Sequence, residues 1–597
     1  MTIDLRTTLA CALALLAIAC STQPTPPIGQ DAPTTEPQAR QTDQAQATTA
    51  PQSDREKAPA QDPAIKQQRS AAVDRVLEST AGREPVRNAV ATFYTSRDYT
   101  PVWFDESGQA RPAVQALLES FSRANREGLA VADYGHDALA TRTRQLDGDG
   151  QSDAMDPASI AALDTRLSMA FVAYAMDLHR GRVGARNRGS RWHNDLPAVD
   201  YAGALARAAQ DGDVDAALAS LRPPHDGYTL LVKALADYRE IVANGGWPTI
   251  ADGELLSTGM SDPRVPALRE HLRITGDLST RTTGADTPVS NRFDTALADA
   301  LKQFQRRHGL SADGRLGPNT RAALNVPAER RTRQIEINLE RWRWLPADLG
   351  DRYIMVNIPD YRLRAFDDSK PALSMNVIVG KSYDDRATPV FSDRMRYVIF
   401  RPYWNIPDSI ATEEILPEAR RDHGYLARKN YQIVPVFGPN AEPMPVTDAN
   451  LDRVENGGLH LRQTSGPHNS LGLIKFMFPN EYAVYLHDTP ADQLFSRTQR
   501  DFSHGCVRVQ DPAALARFVL EGRPEWEDAA RIDRALHEGS RQRVDLAQSI
   551  PVYLIYWTAF VSDEGVQFRN DLYSHDDELD AAMRQARNAH TTPTGAI

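Results

Sequence analysis

Two stretches decide how this chain reads: Val484-Tyr485-Leu486-His487-Asp488-Thr489-Pro490, and Phe502-Ser503-His504-Gly505-Cys506-Val507-Arg508. The first ends a strand on a histidine, with Tyr485 and His487 on one face. The second sets a glycine immediately before a cysteine, a corner that lets backbone approach a ligand closely. His487 can then approach Cys506 across a sheet. Of the other two cysteines, Cys11 lies in an apolar leader and Cys20 where that leader would be cleaved, so Cys506 has no partner for an internal disulfide. A thiol with a pKa near ~8.5 is mostly protonated at neutral pH, so a nucleophilic role needs a base or a positive charge nearby. The candidate bases are His487 and His504. The bland alternative is a small buried hydrophobe beside a hydrogen-bonded core histidine.

The rest of the chain says where such a thiol would work. Thr7 to Ala19 is uncharged and mostly apolar, too short to span a bilayer, and ends in Ala17-Ile18-Ala19-Cys20. This resembles a bacterial lipoprotein signal, which implies removal of residues 1–19 and lipidation of Cys20; an ordinary cleaved signal peptide is the alternative. Either way the protein is exported, and the expected location is the periplasm of a Gram-negative-type bacterium, anchored to a membrane through the N-terminal lipid. Residues 20–70 are rich in Pro, Gln, Thr, Ala and Asp and read as a disordered tether. A net charge of −11 over 597 residues argues against a nucleic-acid partner. An arginine- and glycine-rich run at 179–192 reads as a solvated loop, with a contact to anionic wall carboxylates as the lesser alternative.

The expected fold class is multidomain α+β. Residues 71–261 read as a helical scaffold, from Leu163, Leu167, Phe171, Tyr174 and Leu178 and from Leu231, Leu235, Tyr238 and Val242 at helical spacing. Phe93-Tyr94 and Tyr99-Thr100-Pro101-Val102-Trp103-Phe104 are read as core anchors rather than a carbohydrate platform. In 262–328, Phe304-Gln305, Gly309-Leu310, Asp313-Gly314, Gly317-Pro318-Asn319-Thr320 and Ala323-Leu324-Asn325 mark helix ends and turns. That set resembles the small three-helix peptidoglycan-binding domain of wall enzymes. Residues 329–349 form a connecting helix. From 350 to 575 β-branched runs separated by turns predict a mostly antiparallel β-rich domain, interrupted by a polar, helix-prone insert at about 408–460 that reads as a lid. Residues 576–597 are expected to be a tail.

His487-Asp488-Thr489-Pro490 through Leu494-Phe495 and Arg500 to Ser503-His504-Gly505-Cys506-Val507-Arg508 resembles the catalytic signature of L,D-transpeptidases with the YkuD-type domain. Ile337-Asn338-Leu339-Glu340-Arg341-Trp342-Arg343-Trp344-Leu345-Pro346 and Gln463-Thr464-Ser465-Gly466-Pro467-His468-Asn469-Ser470-Leu471-Gly472 resemble the large YcbB-type branch. The resemblance implies that Cys506 attacks a peptidoglycan tetrapeptide stem, expels D-Ala as a thioester forms, and passes the acyl group to an amine of a second stem in a 3→3 cross-link. It needs no cofactor and no metal. His487 is the expected base; His504 and Ser503 support it, and the Gly505 and Cys506 amides serve an oxyanion. Tyr485 adds a hydroxyl. Arg508 takes either a substrate carboxylate or a structural ion pair, and Trp404 and Asn405 wall the pocket. Carbapenems are expected to acylate Cys506.

Three rivals remain. A zinc site from His487, His504 and Cys506 lacks the usual ligand spacing. A cysteine hydrolase, either an L,D-carboxypeptidase or an amidase type, would use the same residues with water as acceptor. A wall-binding lipoprotein with no catalysis would leave the motif idle.

Overall fold

The computed structural model describes residues 62–79, 83–148, 156–183, 196, 198–279, 290–383 and 386–590. The leader, Cys20, residues 20–61 of the expected tether, residues 184–192 of the arginine-rich run and residues 591–597 lie outside the described residues.

The helix Pro157–Arg180 organises the N-terminal region. Asp156 caps it by accepting from the Ala158 amide, and Pro157 fills the first turn. Leu163, Leu167, Phe171, Tyr174 and Leu178 are buried along one stripe, facing the helices Pro63–Ser79 and Glu84–Thr95. Asp164 lies inside this core and accepts from the amides of Val102 and Trp103 and from the Tyr94 hydroxyl. These bonds turn the aromatic segment inward, and Tyr94, Trp103 and Phe104 are fully buried.

Three features differ from the sequence expectation, each through a tertiary contact. Pro63–Ser79 opens inside the expected tether because Ala72, Val73, Val76 and Leu77 find a core to pack on. The helix Asp226–Ala243 leaves the scaffold core: its Leu231, Leu235 and Tyr238 pack with Ile335 and Leu339 of the helix Ala328–Trp342 and with Ile555 and Phe568 of the β-rich domain. The expected tail forms a helix, His575–His590, whose Leu579 and Met583 join that same core. Arg341 pairs with Asp576 at 2.5 Å and Arg333 with Asp580 at 2.6 Å, which fixes the helix against Ala328–Trp342.

The small unit carries three helices, Val265–Ile274, Thr295–Arg307 and Pro318–Leu324, around Leu268, Leu297, Leu301, Phe304 and Leu324. Gln305 explains its motif. Its amide donates to Asp313 Oδ1 at 2.8 Å, Arg315 O at 3.1 Å and Thr320 Oγ1 at 3.0 Å, while its Oε1 accepts from the Gly314 amide at 2.8 Å. One buried side chain thus ties helix, turn and next helix together.

The strands are β1 (Tyr353–Asn357), β2 (Arg362–Asp367), β3 (Lys370–Gly380), β4 (Phe391–Phe400), β5 (Trp404–Asn405), β6 (Tyr431–Val434), β7 (His460–Gln463), β8 (Ile474–Met477), β9 (Leu486–His487), β10 (Asp501–Ser503), β11 (Val507–Val509), β12 (Gln542–Ile555), β13 (Ala559–Ser562) and β14 (Gly565–Phe568). Nine of them form one sheet in the order β10-β3-β11-β9-β8-β4-β12-β1-β2, and a further β2–β3 pairing closes the ring of ladders. The sheet is mixed: β1–β12, β10–β3 and β11–β9 run parallel. Val377, Val398, Phe476, Leu486, Val507 and Val509 face its core, covered by the helices Pro512–Leu520 and Ala529–His537. The insert spans β5 to β7, with its own three-stranded sheet and its own core around Ile415, Leu426, Ile433 and Leu461, wider than the expected 408–460. A π-helical turn at Ala411–Ile415 precedes Pro417, whose missing amide cannot continue the regular ladder.

Candidate active site

β9 and β11 lie side by side and parallel, with Arg508 opposite His487 and Val507 opposite Leu486. On the other side of β9, Lys475 of β8 stands opposite His487. Period-two alternation then places Lys475, Tyr485, His487, Cys506 and Arg508 on one face while Leu486, Val507 and Phe476 enter the core. Cys506, which directly precedes β11, therefore lies diagonal to His487 on the same face of the parallel β9–β11 ladder.

His487 is 4 % exposed. Its Nδ1 lies 2.5 Å from the Asp488 carbonyl, which only accepts, so Nδ1 carries the proton and Nε2 is left with its lone pair. Burial, then the charges of Arg508 and Lys475, push the imidazolium pKa down to about 3 against the Asp488 carbonyl. The ring is therefore neutral at physiological pH. The Asp488 carboxylate holds that peptide in place by accepting from the amides of Leu473 and Thr489, each at 2.7 Å.

Cys506 is half-buried, with Sγ 3.8 Å from the Ala483 carbonyl. Burial pushes the thiol pKa up; the Tyr485 backbone and hydroxyl, Lys475 and Arg508 pull it back in part. The resting pair is thus thiol and neutral imidazole, not a thiolate–imidazolium pair. The Lys475 ammonium lies 5.1 Å from the Tyr485 ring centroid, and burial and Arg541 lower its pKa to about 8. Arg508 is buried enough that desolvation lowers its pKa, Cys506 working against this, and its Nε has no hydrogen-bond partner.

The turn before the sulfur is held by its own residues. Ser503 Oγ accepts from the Gly505 amide at 3.2 Å and donates to the Cys506 carbonyl. Gly505 sits at φ +110°, a conformation closed to side chains, although a Cβ there would meet nothing nearer than 3.8 Å. Thr388 joins the turn to β3: its hydroxyl accepts from the Gly380 amide and donates to the Gly505 carbonyl, both at 2.8 Å. Gly380 admits this loop because a Cβ would lie 2.0 Å from the Arg386 carbonyl.

The other expected residues are placed elsewhere. His504 is turned to the insert: its Nε2 lies 2.7 Å from Glu414 Oε1 and 2.8 Å from Arg386 Nη1, and Arg386 also pairs with Glu414 at 2.9 Å and Glu413 at 3.1 Å. Trp404 and Asn405 form β5 of the insert, opposite Gln463 and Arg462, and Trp404 packs 6.5 Å from Tyr431. Sequence reasoning missed Lys475, Asp488 and Thr388. Only Lys475 left a signal, a lone cation inside the apolar run Ile474-Lys475-Phe476.

Comparison with known proteins finds three matching families. Residues 351–526 match the family described as "L,D-transpeptidase catalytic domain", residues 261–324 a "Putative peptidoglycan binding domain", and residues 88–235 a "Scaffold domain". A "Putative L,D-transpeptidase" of Haemophilus influenzae is 32% identical over 251 residues, 42% of this chain and 50% of that protein, so the chain spans about half the length of this curated relative. Two crystal structures also align. An L,D-transpeptidase from Xylanimonas cellulosilytica is 14% identical, with 51% of this chain and 99% of that one covered and a TM-score of 0.15. Another, from Stackebrandtia nassauensis, is 13% identical, with 52% and 96% covered and a TM-score of 0.18. These two likenesses are too slight to bear on the site. Residues 351–526, which contain both His487 and Cys506, are thus similar to the L,D-transpeptidase catalytic domain family.

Proposed function

We propose that the chain is a peptidoglycan L,D-transpeptidase that forms 3→3 cross-links through a thioester on Cys506. The observation that carries this reading is the tautomer of His487: a neutral, buried imidazole whose Nδ1–H is held by the Asp488 carbonyl, so that Nε2 keeps its lone pair, on the sheet face that also bears Cys506. As the thiol attacks the carbonyl at the L-centre of the third stem residue, its proton passes to Nε2. The C–N bond to D-Ala then breaks, Nε2 returns the proton to the departing amine, and the donor remains as a thioester. An acceptor amine attacks that thioester, loses a proton to Nε2, and the sulfur leaves and is reprotonated.

Each neighbour has a role in this reading. The oxyanion is met by the Cys506 amide, since that of Gly505 is engaged at Ser503. Arg508, with its unpartnered Nε, takes a substrate carboxylate. Lys475 and the Tyr485 hydroxyl favour negative charge on sulfur. His504, Glu414 and Arg386 hold the insert against the catalytic turn, which makes the insert a lid. The working place is the periplasm, with lipid on Cys20 as anchor. Cys506→Ala is expected to abolish cross-linking of tetrapeptide muropeptides and to leave binding to wall sacculi intact; cross-linking by that variant would end the proposal.

A further inference from the structure

A cleft of about 1270 Å³ lies between the small helical unit and the β-rich domain, away from Cys506. Among the described residues, seven arginines line it against three carboxylates. Asp360 serves Arg364 at 3.0 Å and Arg569 at 2.8 Å, and Glu564 pairs with Arg306 at 3.2 Å. The other four, Arg331, Arg362, Arg497 and Arg500, form no ion pair among the described residues. Arg500 donates to the carbonyls of Val377, Arg497 and Tyr361 and to Asn376 Oδ1, and Arg331 to Gln334 Oε1 and the Ala323 carbonyl. In a chain of net charge −11 this is a local excess of positive charge, and it focuses anions into the cleft.

Size and position narrow the ligand. The cleft is larger than the ~300–1,000 Å³ of ordinary small-molecule sites, which suits an extended oligomer. Arg500 directly precedes β10, whose other end leads into the Cys506 turn. Six residues at roughly 3.3 Å each put the sulfur within about 20 Å of the cleft. One polymer can therefore occupy both places.

We propose that this cleft binds the carboxylate-bearing peptide stems of a glycan strand, so that a neighbouring stem of the same strand is presented to Cys506. Guanidinium groups without a carboxylate of their own are suited to such ligands through paired N–H donors. This rests on the function proposed above.

The test uses the full chain in a Cys506→Ala background, so that binding is read without turnover. Glycan chains that retain their stems, and the same chains after an amidase has removed them, are titrated at low salt. Arg362→Glu with Arg497→Glu changes two exposed side chains and is expected to weaken binding to stem-bearing chains roughly tenfold. Arg362→Lys with Arg497→Lys retains most of it. Equal binding by the Glu variant and its parent overturns the proposal, as does parent binding to stem-free chains as tight as to stem-bearing ones. Failure of the catalytic reading would show separately, as cross-linking by the Cys506→Ala chain.

Discussion

Thr388→Val tests whether the catalytic turn is positioned by a single buried hydroxyl. Thr388 is 0 % exposed, and Val has its shape, so the change leaves no cavity. What it removes is the bridge between the Gly380 amide and the Gly505 carbonyl, leaving two buried backbone groups without that partner. Taking the lower part of the range for an orphaned buried group, about 1–2 kcal/mol each, the turn should lose roughly 2–4 kcal/mol of local stability. Hydrogen exchange in peptides covering 377–381 and 503–509 reads this directly. Protection should fall about 30-fold to 10³-fold, at ~1.4 kcal/mol per decade. Thr388→Ser, which retains the hydroxyl, should stay near wild type. A misplaced sulfur should also lower kcat/KM by about 10–10². Exchange within threefold of wild type would refute the bridging role.

Three further outcomes follow from the electrostatics of the site. Because burial raises the Cys506 thiol pKa, alkylation of the resting enzyme should be slow at pH 7 and still rising beyond pH ~8.5; a plateau by pH 7 would mean a preformed thiolate. Lys475→Met should cost about tenfold in kcat/KM at pH 7, where the lysine is charged, and less above pH 8, where burial has already neutralised it; a loss that does not change with pH would contradict its electrostatic role. Carbapenems should add their mass to Cys506, and His487→Ala should slow this; an unchanged intact mass would count against an acylable thiol.

What could be read in advance was what depends on local pattern. Tyr485 and His487 share a face because strands alternate, and Gly309 ends its helix at φ +65° because only glycine adopts that conformation freely. The residues that fix the site were hidden because their partners are remote in sequence. His504 meets Glu414 ninety positions away in another subdomain, and Thr388 reaches Gly505 across 117. Nothing in the acidic composition of His575–His590 announced a helix until Arg333 and Arg341 supplied its counter-charges. The helix Asp226–Ala243 had its apolar stripe recognised correctly, but a stripe does not name the surface that it covers.

The sulfur's part in the chemistry is read most directly by incubating the protein with a defined disaccharide-tetrapeptide, quenching in acid and mapping the intact mass to a residue. The account predicts an adduct on Cys506 equal to the donor less its terminal D-Ala. Release of D-Ala with Cys506 unmodified throughout turnover, or an adduct on another side chain, would contradict it.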